Sequence, residues 1–309
     1  MKILCIGEAL IDMICTDKGT RLAEGTHFLS KTGGAPTNVA AAIAALGGDV
    51  ALSAKVGNDA FGEKLRSAMQ DFGVDTQWML TDENRFTTFA FVSLMEDGER
   101  DFVFNRGADA ELTVADVDAI DLGNISIIHF GSATAFLPAP LQQAYTHLLQ
   151  KAKSQGIFIS FDPNYRHLLY GNRQPSFIEQ SRHFLKTCDF TKLSDEEALL
   201  ITGKKEITEA ADYLLNTIDA VFTITLGKKG ALVGINKTLF TVPSVPLQAV
   251  DTTGAGDAFV GSVLQQLAGK KSKQLTEENW KAIIANANLV AAETCRYMGA
   301  MEAFKMLKR

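Results

Sequence analysis

From Thr113 onward the chain alternates between short β-rich runs and longer helical stretches, and this alternation limits the fold more than any other feature. Strands are expected at Ser126 to Phe130, Ile157 to Asp162, Asp189 to Leu193 and Ala220 to Leu226. Helices are expected at Pro140 to Ser154, Ser176 to Lys186, Asp195 to Ile201 and Glu209 to Asn216. Repeated β-α units bury their apolar faces as a mostly parallel sheet covered by helices on both sides. The N-terminal part has the same grammar. Lys2 to Gly7 reads as a buried strand, Pro36 to Leu46 as an Ala-rich helix stopped by Gly47-Gly48, Val50 to Val56 as a strand, and Asp59 to Phe72 as a helix ending at Gly73. Hairpin-like strands at Ala231 to Ile235 and Leu239 to Val242 follow, and helices at Ala255 to Ala268 and Glu277 to Tyr297 close the chain.

Two segments break this grammar. The stretch from Ile14 to Lys31 lacks helical periodicity and is rich in turn residues. Thr87 to Met95 and Asp101 to Asn105 read as a strand pair around the turn Glu96-Asp97-Gly98-Glu99, where Asp-Gly is a strong hairpin signal. We therefore expect an α/β fold with a core of residues 1–11, 33–85 and 111–309, and a small β lid of residues 12–32 and 86–110 inserted into it.

Composition narrows the function. Of 309 residues, 46% are hydrophobic and 21% charged, which is globular and not disordered. A net charge of −6 argues against bulk binding to nucleic acid or anionic membrane, while leaving room for a local basic phosphate pocket. The longest apolar run, Val39 to Leu46, is far short of a bilayer span, and the N-terminus carries Glu8 and Asp12 rather than a signal sequence, so a cytoplasmic chain is expected. Cys5, Cys15, Cys188 and Cys295 lie far apart and form no C-x-x-C pair, so free thiols are expected.

In a doubly wound sheet, ligands sit beyond the carboxyl ends of the strands. The residues expected there are rich in Gly, carboxylates, Asn and Arg. They include Gly7 to Asp12, Thr32-Gly33-Gly34, Asp162-Pro-Asn164-Tyr-Arg166 and Asp251-Thr-Thr253-Gly254-Ala255-Gly256-Asp257. The last string precedes a helix. Its glycines let backbone N–H groups approach an anion, and the helix N-terminus adds partial positive charge. A carboxylate at Asp257 would repel a phosphate, but it suits a group that takes the proton of a hydroxyl attacking that phosphate. An N-capping Asp after a glycine turn is the competing reading. No P-loop occurs, and Phe259 stands where the dinucleotide fingerprint needs Gly or Ala.

Gly33-Gly34-Ala-Pro-Thr-Asn38 and Asp251 to Asp257 resemble the two signatures of the ribokinase/PfkB family of sugar kinases, and the resemblance runs from Ile6 to Ala300. It implies a ribokinase-like three-layer core whose β lid closes over a sugar, with ATP-dependent phosphorylation of a sugar hydroxyl. Carried over residue by residue, it makes Asp257 the catalytic base and Gly254, Ala255 and Gly256 the anion hole. Asp12, Gly33, Gly34 and Asn38 become sugar ligands. Thr225, Gly227 and Gly230 match a nucleotide-contacting T-x-G-x-x-G, and Asn288 matches a position beside the adenine. Asp251 and the carbonyl of Thr253 match a monovalent-cation site, with K+ as the expected ion. Where the ribokinase branch has N-x-x-E for Mg2+ and phosphate waters, this chain has Ser194-Asp-Glu-Glu197. That departure resembles the fructokinase branch, as does Asp162-Pro-Asn164-Tyr-Arg166 with Lys192. Arg166 and Lys192 would then hold phosphate charge.

Asn105 and Arg106 are expected to face the sugar. Fructose, phosphorylated to fructose 6-phosphate, is the first expectation for the substrate. The Arg106 guanidinium would equally suit 2-keto-3-deoxygluconate or 5-dehydro-2-deoxygluconate. A catalytically silent sugar- or nucleotide-binding regulator is the reading from another class, and an intact Asp257 argues against it. The resemblance also leaves open a homodimer through the lid.

Overall fold

The structure, a computed structural model, describes residues 1–17, 19–94, 100–270 and 274–308. Strands β1 (Lys2–Ile6), β2 (Leu10–Cys15) and β3 (Phe28–Gly33) come first, then α1 (Ala35–Ala45), β4 (Val50–Gly57), α2 (Ala60–Phe72) and β5 (Met79–Asp82). Next come β6 (Thr88–Leu94), β7 (Arg100–Asn105), α3 (Val114–Asp118), β8 (Ile125–Phe130), α4 (Pro140–Ser154), β9 (Phe158–Phe161), α5 (His167–Tyr170) and α6 (Gln174–Leu185). The C-terminal part holds β10 (Phe190–Ser194), α7 (Asp195–Thr202), α8 (Ile207–Thr217), β11 (Val221–Thr225), β12 (Ala231–Ile235), β13 (Thr238–Val242), α9 (Ala255–Leu267), α10 (Glu277–Thr294) and α11 (Ala300–Leu307).

The main sheet has the order β13-β12-β11-β10-β9-β8-β1-β4-β5. It is parallel except for the antiparallel β11-β12-β13 edge. Strand β1 shows why central strands read as unbroken apolar runs. Ile3 and Cys5 pack with α1, α2, α9, α10 and α11 on one face, while Leu4 and Ile6 pack with α3, α4, α6, α7 and α8 on the other. This is the α/β architecture the alternation predicts. All four cysteines are free and buried.

A second sheet has the order β3-β2-β6-β7. It spans both segments that break the helical grammar and takes in Leu10 and Gly33 as well. The expected turn at Glu96 to Glu99 lies outside the described residues. Across β2 and β3, Asp12 stands opposite Lys31, and Asp12 stands beside Ala90 of β6. Residues opposite one another share a sheet face, so Asp12 and Lys31 project the same way.

The sequence pattern does not show β5, α3 or α11. β5 is a four-residue edge strand, and α3 has only five residues. α11 forms because Met301, Ala303 and Phe304 cover the core beside α1. α10 also stops at Thr294, short of the expected Tyr297. The Cys295 carbonyl turns to accept the Val250 N–H at 2.8 Å and so leaves the helical ladder. Among the described residues no helix is long and apolar enough to cross a membrane.

Candidate active site

Two helix N-termini meet at the carboxyl ends of the parallel strands. α1 starts at Gly34, whose φ of 104° and closeness to the Glu8 carbonyl leave no room for a Cβ. α9 starts at Gly254, with φ 79° and Ala300 against its open side. The two helices approach closely because the facing residues are small: a Cβ on Gly261 of α9 would stand 2.8 Å from Ala42 of α1. That close packing brings Asn38 Nδ2 to donate to Asp257 Oδ2 at 2.8 Å. Burial pushes the Asp257 carboxyl above its ordinary range, while the Asn38 bond and the charges of Arg166 and Lys192 pull it back.

Lys192, on β10, is buried at the same place. Its Nζ lies 3.1 Å from Asp162 Oδ2, and a Cβ on Gly256 would stand 3.3 Å from that Nζ. The ammonium therefore sits against the N-terminus of α9. Burial works against its charge, but Asp162, Glu197 and Asp257 outweigh it and raise its affinity for the proton. Asp162 is also pushed upward, chiefly by burial. Backbone N–H groups, the helix N-terminus and a buried cation converge here, which suits a phosphate chain.

Glu197 is buried and held by backbone. Its Oε1 accepts from Tyr165 N and its Oε2 from Ser194 N, each at 2.8 Å. The Ser194 hydroxyl in turn accepts from Glu197 N at 3.1 Å, which makes a capping box for α7. Each Glu197 oxygen keeps a lone pair, and buried Asp162 Oδ2 has the Lys192 ammonium beside it but makes no other polar contact. Among the described residues no three His, Cys, Asp or Glu side chains are grouped to hold a metal directly. These residues fit Mg2+ held through water and substrate phosphates.

On the side expected to take the sugar, Asp12 is half-buried on β2, and Gly33 must lack a side chain because a Cβ there would strike the Asp12 carboxylate. Burial pushes the Asp12 carboxyl up to about 6, against the pull of Arg166 and Lys31. The Arg166 charge bears on both Asp12 and Asp257 and so joins the two groups. Its Nη2 is held 3.4 Å from Asn164 Oδ1. Asn164 has φ 47° and donates to the Gly131 carbonyl at 2.8 Å.

Of two expected sugar contacts, one lies on another face and one is already engaged. Asn105 is level with Phe89, which is level with Ile11, so it lies on the sheet face opposite Asp12 and is exposed. Arg106 donates to buried Asp109 at 3.3 Å and to the Thr134 carbonyl at 3.1 Å. Its charge is thus already matched by Asp109, whose other oxygen accepts from Thr88. The nucleotide-side residues also make structural bonds. Thr225 Oγ1 donates to Leu193 O at 3.2 Å, and Asn288 Nδ2 donates to the Val242 and Pro243 carbonyls at 3.1 Å. Gly230 approaches that Val242 carbonyl too closely to carry a Cβ, and Gly227 takes φ 55°. Asp251 Oδ1 accepts from Thr253 N and Oγ1, and Oδ2 accepts from Gly299 N at 2.8 Å. These bonds outweigh burial and hold its carboxyl below the ordinary range.

Two contributors were not singled out from the sequence. Glu8 is buried and ties Ala35 N of α1 to Ala133 N after β8, each at 3.2 Å, and it accepts from Ser132. Lys31 shows its place only through strand register. Its Nζ lies where a Cβ on Gly299 would stand 2.7 Å away, and its charge reaches both Asp12 and Asp251.

Comparison with known proteins shows the family. Residues 1–306 match the pfkB family carbohydrate kinase. Fructokinase-1 of Zea mays is 35% identical over 302 residues, covering 97% of this chain and 93% of that protein. An uncharacterized sugar kinase from Pyrococcus horikoshii, solved in complex with ATP, superposes with a TM-score of 0.84 at 31% identity, over 97% of this chain and 94% of that one. A double mutant of fructokinase from Vibrio cholerae O395, solved with fructose, ADP and potassium, also has a TM-score of 0.84, at 29% identity over 98% of this chain and 94% of that one.

Proposed function

The chain belongs to the pfkB family of carbohydrate kinases and is an ATP-dependent sugar kinase, and from that premise we propose that its acceptor is fructose, phosphorylated to fructose 6-phosphate. The observation that carries the chemistry is the Asn38–Asp257 pair at the N-terminus of α9, beside buried Lys192. Asp257 takes the proton of the sugar hydroxyl as its oxygen bonds to the γ-phosphorus and the bond to the β–γ bridging oxygen breaks, releasing ADP. Asn38 fixes the carboxylate that receives the proton. The N–H groups at Gly254, Ala255 and Gly256, with Lys192 and Arg166, meet the charge that builds on the transferred phosphoryl group. Asp12, backed by Gly33 and Gly34, grips vicinal hydroxyls. Mg2+, when bound through water at Glu197 and Asp162, supplies neutralisation of the phosphate oxygens. Asp251 and the Thr253 carbonyl are the residues that would hold K+.

The identity of the relatives supports fructose, and so does Arg106. A guanidinium already matched by Asp109 offers little to a sugar carboxylate, which weighs against the keto-acid sugars. We read the second sheet as the lid, and a homodimer through it would cover the exposed Leu29 and Leu94, which share one face. The test is an ADP-release assay with Mg-ATP and K+ against fructose, ribose, 2-keto-3-deoxygluconate, 5-dehydro-2-deoxygluconate and aminoimidazole riboside. Fructose should give the highest kcat/KM, and Asp257→Asn should lower kcat by roughly 10³-fold while ATP still binds. A higher kcat/KM on another sugar removes the fructose assignment, and an active Asp257→Asn removes the base.

A further inference from the structure

We propose that Lys31 is a positioning residue of the sugar site: carried on β3 opposite Asp12 and lodged against Gly299 of the core, its ammonium holds the Asp12 carboxylate as a charged acceptor for sugar hydroxyls. Three observations converge. The β2–β3 register sets the two side chains on one face. Lys31 is half-buried, and its Nζ lies so close to Gly299 that a Cβ there would stand 2.7 Å away. Gly299 is itself tied to Asp251 through its N–H at 2.8 Å. The small sheet thus lies against the loop before α11 through the same cation that stands opposite Asp12.

The electrostatics make this consequential. Asp12 is desolvated, and a desolvated carboxyl is pushed toward its neutral form, which donates a proton where a sugar grip needs acceptors. Two cations oppose that push: Arg166 from the loop after β9, and Lys31 from β3. Arg166 is shared with Asp257, whereas Lys31 is shared with Asp251. Removing Lys31 leaves Arg166 to oppose that push, and raises the pH at which the Asp12 carboxyl becomes charged.

This inference rests on the sugar-kinase reading for its kinetic consequence, but its electrostatic core is measurable without turnover. The Asp12 titration midpoint, read by carbon-13 NMR of labelled aspartate and assigned with Asp12→Asn, should rise by about one pH unit in Lys31→Met and stay in place in Lys31→Arg. In kinetics, the KM for fructose should rise about fivefold near pH 6 in Lys31→Met, and the gap should narrow above pH 8, where Asp12 is charged in both proteins. kcat should fall less than KM rises, and Lys31→Arg should restore both. An unmoved midpoint overturns the proposal, as does a KM gap that is absent or independent of pH. If the wild-type chain turns over no fructose, the substrate reading fails, and the NMR midpoint alone decides the role of Lys31.

Discussion

Lys192 carries two loads at once: it neutralises buried Asp162 and presents an ammonium to the N-terminus of α9. Replacing it with Met should therefore do more than weaken a contact. Asp162 would be left buried without its cation, a loss that typically costs 3–5 kcal/mol in comparable pairs. The proposed phosphate pocket would lose a buried positive charge. We expect Lys192→Met to lower kcat by about 10²-fold and to leave the Kd for sugar within a factor of about two. Single-turnover kinetics and sugar titration calorimetry separate the two, and a kcat within threefold of wild type would remove Lys192 from the chemistry. At this scale the sequence is uneven. Asp257 and its glycines are readable because the residues we propose as the anion hole are contiguous in the chain. Lys31 and Glu8 are not, because each owes its role to a partner distant in sequence, reached through strand register or through a buried bond across the site. Asn105 shows the converse: adjacency to Arg106 put it on the sugar, and the period-two alternation of β7 turns it to the other face.

Elements matter here for what their ends and spacings exclude. β3 runs straight into α1 through Gly33 and Gly34, so one glycine pair both ends a strand of the small sheet and starts a helix of the core. Gly33 lies against the Asp12 carboxylate with no space for a methyl group. Gly33→Ala should therefore push Asp12 aside and raise the KM for fructose by tenfold or more, about 1.4 kcal/mol of lost sugar binding, while ATP-analogue affinity is retained. Equal loss on both ligands would mean that the substitution damages α1 itself. The Ala-rich helix and the double glycine were readable from composition and turn chemistry. α11 was not, since its stability comes from Phe304 and Met301 reaching a core built by α1, and eight residues after a glycine carry little pattern of their own.

Over the whole molecule, the alternation of strand and helix was enough to foretell the main sheet, because a parallel sheet buried on both faces has few topologies open to it. It could not foretell the balance of charge at the place where the two sheets meet. There the fold buries or half-buries Asp12, Asp162, Glu197 and Asp257 around fewer cations, and three of these carboxyls are pushed upward by burial. Such an arrangement favours catalysis over stability. Asp12 gives the cleanest test. In the folded chain its proton leaves near pH 6, and in the unfolded chain near about 3.9. Between those values the folded state binds more protons, so rising pH lowers stability, and above pH 6 the full cost is present. Asp12→Asn removes that cost. The ligand-free variant should be more stable than the wild type by about 1–2 kcal/mol at pH 8, with allowance for the partial exposure of Asp12. The advantage should shrink as pH falls from 6 and vanish below pH 4, where Asp12 is protonated in both states. Calorimetric melting across this range checks the sign. If Asp12→Asn is instead the less stable protein at pH 8, Lys31 and Arg166 more than compensate the buried charge, and the site is held together by its ion pairs rather than strained by them.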